Sequence, residues 1–98
     1  MTCKVFFRRA AQREFGDAVL WYEERRVGLG REFRAEIERA IESVAHNPSR
    51  FPLMHRDIRC VRARRFPYSV FFRVEPMRVV VLAVFHARRD PLIRQGRA

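Results

Sequence analysis

The period of the hydrophobic positions changes twice along the chain. Val5, Phe6 and Phe7 form the apolar body of a short strand predicted over Cys3–Arg8. From Ala10 to Arg26 the spacing becomes helical. Ala11, Phe15, Ala18 and Tyr22 recur at steps of four, three and four, with Val19 beside them. Leu20 falls on nearly the opposite face of that wheel, and Trp21 lies on its flank. Gly28 is a natural left-handed terminator. A second helix is predicted from about Gly30 to His46. Its buried stripe is Leu29, Phe33, Ile37, Ala40, Ile41 and Val44, with Arg31, Arg34, Glu38 and Glu42 in water. Asn47-Pro48 stops it. Two amphipathic helices joined by about three residues make an antiparallel hairpin.

After a loop from Asn47 to His55, anchored by Phe51, the pattern becomes that of strands. Ile58 to Arg65 reads as one strand, but its face assignment stays open. Ile58 and Cys60 have one parity, Val61 and Ala63 the other, and a bulge is one way to reconcile them. Tyr68 to Glu75 alternates cleanly, with Tyr68, Val70, Phe72 and Val74 on one face and Ser69, Phe71, Arg73 and Glu75 on the other. Arg78 to His86 is apolar on both faces and belongs inside a sheet covered at least partly on both sides. A short ordered piece followed by fraying is expected over Ala87 to Ala98. The fold class is therefore α+β, strand-helix-helix-strand-strand-strand, with a helical hairpin on one face of a small, mainly antiparallel sheet of about four strands. Two helices cover only one face. The other, Phe71 included, is expected to present an apolar patch rimmed by arginine, a feature of partner surfaces; a homodimer or a partly open core is the alternative.

Composition sharpens this picture. The chain has 98 residues, which fits one domain spanning 1–98. Aromatic residues make up 12% and hydrophobic residues 48%, which argues against disorder. No apolar run reaches the ~20 residues of a membrane span, and the start is too soon charged for a secretory signal. Two cysteines, Cys3 and Cys60, make neither a disulfide framework nor a zinc quartet. A cytoplasmic protein with reduced thiols, without metal or cofactor, is expected. The charge is uneven. Residues 1–42 carry nine basic and eight acidic side chains; residues 43–98 carry twelve and three. Almost the whole formal charge of +10 sits in the second half. That half expects an acidic partner, nucleic acid or protein.

Ordinary enzyme signatures are missing: no phosphate-binding glycine loop, nucleophile elbow, HExxH or CxxC is present. The distinctive stretch is Val84-Phe85-His86-Ala87-Arg88-Arg89-Asp90-Pro91, which puts a histidine and two arginines where a central strand leaves the sheet. An imidazole beside guanidiniums can exchange a proton while a charged phosphorane is stabilised, so His86, Arg73 and Arg88 are the catalytic candidates if the chain cuts RNA. The plainer reading has His86 bonded to a loop carbonyl and Arg88 and Arg89 paired or solvated. His46 reads as a helix C-terminal residue meeting the negative dipole end. Arg59, Arg62, Arg64, Arg65, Arg73 and Arg78, interleaved with Phe66, Tyr68 and Phe71, suit a nucleic-acid backbone or an acidic peptide.

Five stretches occur in an order that resembles the RelE/ParE superfamily of type II toxin–antitoxin toxins, its ParE-like plasmid-stabilisation branch most. They are Ala18–Arg25 (AVLWYEER), Gly28-Leu29-Gly30-Arg31-Glu32-Phe33, Asn47-Pro48-Ser49-Arg50-Phe51-Pro52, Arg64-Arg65-Phe66-Pro67-Tyr68 with Val70 and Phe72, and the Val84–Pro91 stretch. Together they cover about residues 3–91. The resemblance implies a toxin held inactive by a cognate acidic antitoxin. ParE-like members poison DNA gyrase, whereas RelE-like members cut messenger RNA on the ribosome without a metal. No tyrosine follows Tyr68, so the C-terminal tyrosine of many RelE-like nucleases is absent. The leading expectation is a gyrase-directed binding protein, with a ribosome-dependent endoribonuclease as the alternative. Expected target- or antitoxin-binding residues are Arg62, Arg64, Arg65, Phe71, Arg73, His86, Arg88 and Arg89.

Overall fold

Five strands and two helices make up the structure, a computed structural model that describes residues 2–87. Strand β1 (Lys4–Phe7) leads into helices α1 (Arg9–Arg25) and α2 (Leu29–His46). A single 3-10 turn over Pro48–Arg50 follows, then β2 (Leu53–His55), β3 (Ile58–Arg62), β4 (Tyr68–Glu75) and β5 (Arg78–His86). The sheet order is β1-β5-β4-β3-β2. All pairs are antiparallel except β1 with β5, where Val5 stands beside Val79 and Phe7 beside Val81. Strand β2 adds to the expected set of about four. It is three residues long, too short to show a period, and lies in the segment read as loop. Among the described residues no helix is long and apolar enough to cross a membrane.

The helical hairpin is closed by two devices. Gly28 takes φ 90°, a left-handed conformation that side-chain-bearing residues rarely adopt. The Glu23 carboxylate then accepts from the backbone N–H groups of Gly28 at 2.9 Å and Gly30 at 3.0 Å, two donors that α2 leaves without partners at its start. Gly30 also lets the helices touch. A Cβ there would lie 2.6 Å from the Val19 carbonyl oxygen.

The expected stripes meet as read. Ala11, Ala18, Phe33, Ile37, Ala40 and Val44 pack on Tyr68, Val70, Phe72, Val79, Val81 and Val84, with Phe15, Val19, Tyr22, Leu29, Ile41 and Val74 around them. Burying each large side chain contributes roughly 1.5–3 kcal/mol before entropy is counted. Phe33 is the hub: its ring centroid lies 4.9 Å from Tyr22, 5.2 Å from Phe66 and 4.8 Å from Tyr68.

The second face differs from expectation. Ile58, Cys60, Phe71, Val80, Leu82, Ala83 and Phe85 form a separate buried cluster, and Phe71 is only 8% exposed. Among the described residues, these seven side chains do not form the open patch that was expected. No described helix residue belongs to this cluster. The physical reason is that apolar area costs about 25 cal/mol per Å² in water, so side chains this dense on three adjacent strands are driven out of it. Phe6 of β1, level with Val80, keeps 47% of its surface, and the Arg78 guanidinium lies over its ring.

This burial also settles the parity of β3. Its register against β4 is regular, with Ile58 and Cys60 in the second cluster and Val61 in the first, so both faces need apolar residues and no bulge is required. The strand ends at Arg62 rather than Arg65. The bulge is in β5. Phe71 pairs with Ala83 and Phe72 with Val81, which leaves Leu82 as the extra residue. Leu82 and Ala83 consequently share the second face. Beside the bulge, the Glu14 carboxylate of α1 accepts the Val84 N–H at 3.0 Å and ties the helix to the sheet.

Candidate functional site

The turn after α2 folds back against the sheet because Arg59 holds it there. Its guanidinium donates to the carbonyl oxygens of Ser49 at 3.1 Å and Phe51 at 2.6 Å. Phe51 meets Phe72 edge-on, with ring centroids 6.0 Å apart. This leaves a cleft of about 640 Å³ between α2, the turn and the end of β3. Its lining is Glu36, Arg39, Ala40, Ser43, Arg50, Phe51, Val61, Arg62 and Arg64. Ala40 and Val61 are core residues, so the cleft has an apolar floor.

Its electrostatics are one-sided: four arginines stand against one carboxylate. Glu36, buried on α2, sits 3.5 Å from Arg39 and 3.6 Å from Arg65. Arg65 takes φ 70° in the β3–β4 loop and clamps that loop to α2 by donating to Glu32 at 2.8 Å. That hydrogen bond holds the Glu32 carboxyl below its ordinary value, against a smaller opposing effect of burial. It raises Arg65 in turn. Arg50 donates to the Ser43 hydroxyl at 2.8 Å and lies over the Phe51 ring. Arg62 and Arg64 are exposed and have no carboxylate partner among the described residues. Arginine stays protonated at working pH. The cleft therefore presents a fixed positive charge suited to an anionic group.

The residues singled out from sequence converge only in part. Arg62 and Arg64 line the cleft, and Arg65 is the clamp beside it. Phe71 is buried on the opposite face. Arg73 is level with Val80, also on that face, and donates to Asp57 at 2.9 Å. His86 pairs with Tyr68 on the helix side, with ring centroids 5.2 Å apart. The sheet thus separates His86 from Arg73. Arg88 and Arg89 lie outside the described residues. His46 behaves as expected, its Nδ1 donating to the Glu42 carbonyl at 2.9 Å. Among the described residues, no three His, Cys, Asp or Glu side chains are grouped to hold a metal ion.

Glu36, Arg39, Ser43, Arg50 and Asp57 were missed from sequence. One signal was present: Glu36 falls three residues after Phe33 and four before Ala40, inside the apolar stripe, where a carboxylate needs a partner. For Arg39, Ser43 and Arg50 no local signal existed, because a turn brought back by Arg59 creates the cleft.

No curated protein gives a significant match to this chain. Among solved structures, the chromosomal ParDE toxin–antitoxin system from P. aeruginosa superposes with a TM-score of 0.78 at 14% identity, covering 89% of this chain and 98% of that one. The toxin–antitoxin complex RelBE2 from Mycobacterium tuberculosis gives 0.61 at 24% identity, covering 88% and 99%. At these identities the likeness is one of fold. The family model described as the ParE toxin of the type II toxin–antitoxin system parDE matches residues 5–91, from within β1 to past the end of β5. That match spans the hairpin, the sheet and the cleft together, and by it the chain belongs to the ParE toxin family of type II toxin–antitoxin systems.

Proposed function

We propose that this type II toxin poisons DNA gyrase in the cytoplasm and is silenced by an acidic antitoxin bound to it. The observation that carries the reading is the family match over residues 5–91. Both solved neighbours are toxin–antitoxin systems by description, which supports an antitoxin partner here. The chain acts as one domain over 1–98, without metal or cofactor. Arg62 and Arg64, exposed and without acid partners among the described residues, are its leading contact residues, with Arg88 and Arg89 beyond them. Arg65 and Arg73 are already committed to Glu32 and Asp57, and Phe71 is buried, so these three serve the fold first.

What favours gyrase over the ribosome is the placement of the nuclease candidates. A general acid must reach the reacting atoms within hydrogen-bond distance. His86 and Arg73 face opposite sides of the sheet, which speaks against their sharing one phosphate, while Arg88 lies outside the described residues. The test uses the purified chain with gyrase, relaxed plasmid and ATP. Cleaved, gyrase-linked DNA and lost supercoiling are expected. Gyrase left indifferent, with messenger RNA cut on translating ribosomes, would overturn the reading. His86→Gln is expected to change toxicity only a few-fold, whereas loss of a general acid costs ~10²-fold or more.

A further inference from the structure

We infer that the cleft between α2 and the end of β3 is the docking site for an acidic protein segment that places an apolar side chain on Ala40 and Val61 and carboxylates among Arg39, Arg50, Arg62 and Arg64. The inference rests on the antitoxin half of the proposed function and deepens it by naming the surface. It also moves that surface. The second face of the sheet, where an open apolar patch was expected, is buried, Phe71 included. The cleft is open, has an apolar floor, and carries four guanidiniums against one carboxylate that two arginines already flank. Arginine forks match carboxylates in bidentate geometry. An exposed guanidinium without a counter-charge gains more from an incoming carboxylate than one already paired.

Two features favour a peptide over a nucleic acid. First, the volume, about 640 Å³, holds a few side chains rather than a run of nucleotides. Second, the surface around it is mixed. Buried Glu36 lines the cleft itself, and half-exposed Glu32 stands one turn before it on the same side of α2, both against Arg65. A polyanion following that helix would meet both carboxylates, whereas a protein segment bearing both kinds of side chain would not. Apolar contact on the floor would supply most of the affinity, and the arginine rim would set the encounter rate and the register.

The experiment selects binders to the full chain from a random dodecapeptide library and maps the best one by amide shifts. Enriched peptides should carry an aromatic or aliphatic residue flanked by Asp or Glu, and should move Ala40, Ser43, Phe51 and Val61. Arg64→Glu should weaken binding about tenfold, and Ser43→Trp, which fills the cleft from an accessible position, should abolish it. Circular dichroism of both variants must remain native. Added salt should slow association more than it speeds dissociation. Neutral or basic winners, shifts elsewhere, or indifference to both substitutions would overturn the inference. So would a short single-stranded RNA that shifts the same amides and binds more tightly than the peptide. Gyrase poisoning is scored separately on the same preparation. Poisoning without peptide binding sinks the cleft alone, and peptide binding without poisoning sinks the gyrase target alone.

Discussion

On the helix side of the sheet, Phe33 has no exposed surface and its ring lies between 4.8 and 6.1 Å from those of Phe15, Tyr22, Phe66 and Tyr68. On the other side, Phe71 keeps 8% of its surface, and among the described residues its ring neighbour is Phe85 at 5.8 Å. Both faces exclude water, but they do so with different materials. The first joins residues from two helices and four strands into one network. The second is drawn, among the described residues, from β3, β4 and β5. A residue that links several elements takes more packing with it when removed than one whose neighbours lie on adjacent strands.

The largest expected effect tests that contrast. Phe33→Ala should cost about 4–5 kcal/mol and Phe71→Ala about 3 kcal/mol, measured by urea unfolding. In a small domain the first loss takes most of the stability. Equal costs, or a larger one at Phe71, would break the comparison. Next comes the contact between the helices. Gly30→Ala forces a methyl toward the Val19 carbonyl oxygen and should cost about 1–3 kcal/mol. Gly16→Ala, in α1 with nothing within 4 Å of the new methyl, should stabilise by about 0.5–1 kcal/mol. Opposite signs in thermal melts would sharpen the picture, and a neutral Gly30→Ala would refute the close approach.

The tie between α1 and the bulge ranks third. Glu14→Ala should cost about 1–3 kcal/mol and speed hydrogen exchange at the Val84 amide, whereas Glu14→Gln, which keeps an acceptor, should cost less. Unchanged exchange at Val84 in both would remove the tie. The smallest effect is electrostatic. Arg65 lowers the Glu32 carboxyl, so the pair adds stability above the ordinary glutamate value. That stability is lost as pH falls through the lowered, folded value. Glu32→Gln should therefore flatten the acid limb of the stability curve, and added salt should shrink the difference. An acid limb identical in both proteins would show that the clamp does not couple to folding.

The helices and β4 were legible because their periods are local. Leu29, Phe33, Ile37 and Val44 announce a stripe whatever they pack against, and Tyr68 to Val74 alternates without interruption. Strand order was not legible, since pairing β1 with the last strand joins residues that are distant in the chain. The bulge left no trace either. From Val79 to Phe85 every residue is apolar, so no polar position marks where the alternation slips. The same uniformity did signal that β5 is covered on both faces. In the candidate site, Arg62 and Arg64 could be named from charge alone. Their neighbours could not, because Arg65 finds Glu32 thirty-three residues away and Arg73 finds Asp57 sixteen away. A residue's own type says that it seeks an opposite charge, and only the folded chain says which one it has found.

The extra residue at Leu82 has a consequence for tracing descent. Upstream of it, odd-numbered positions of β5 face the helices; downstream, even-numbered ones do, and His86 stands beside Tyr68 only because of that change of phase. A relative with an uninterrupted β5 would send its corresponding side chain to the opposite side. Pairing such chains position by position, without a gap at Leu82, would equate residues that never occupied the same surroundings. At identities of 14% and 24%, nothing in the letters themselves would expose the error. Ancestral reconstructions of this strand should therefore be anchored on Glu14, the side chain that reaches the bulge from outside the sheet, rather than on the run of valines.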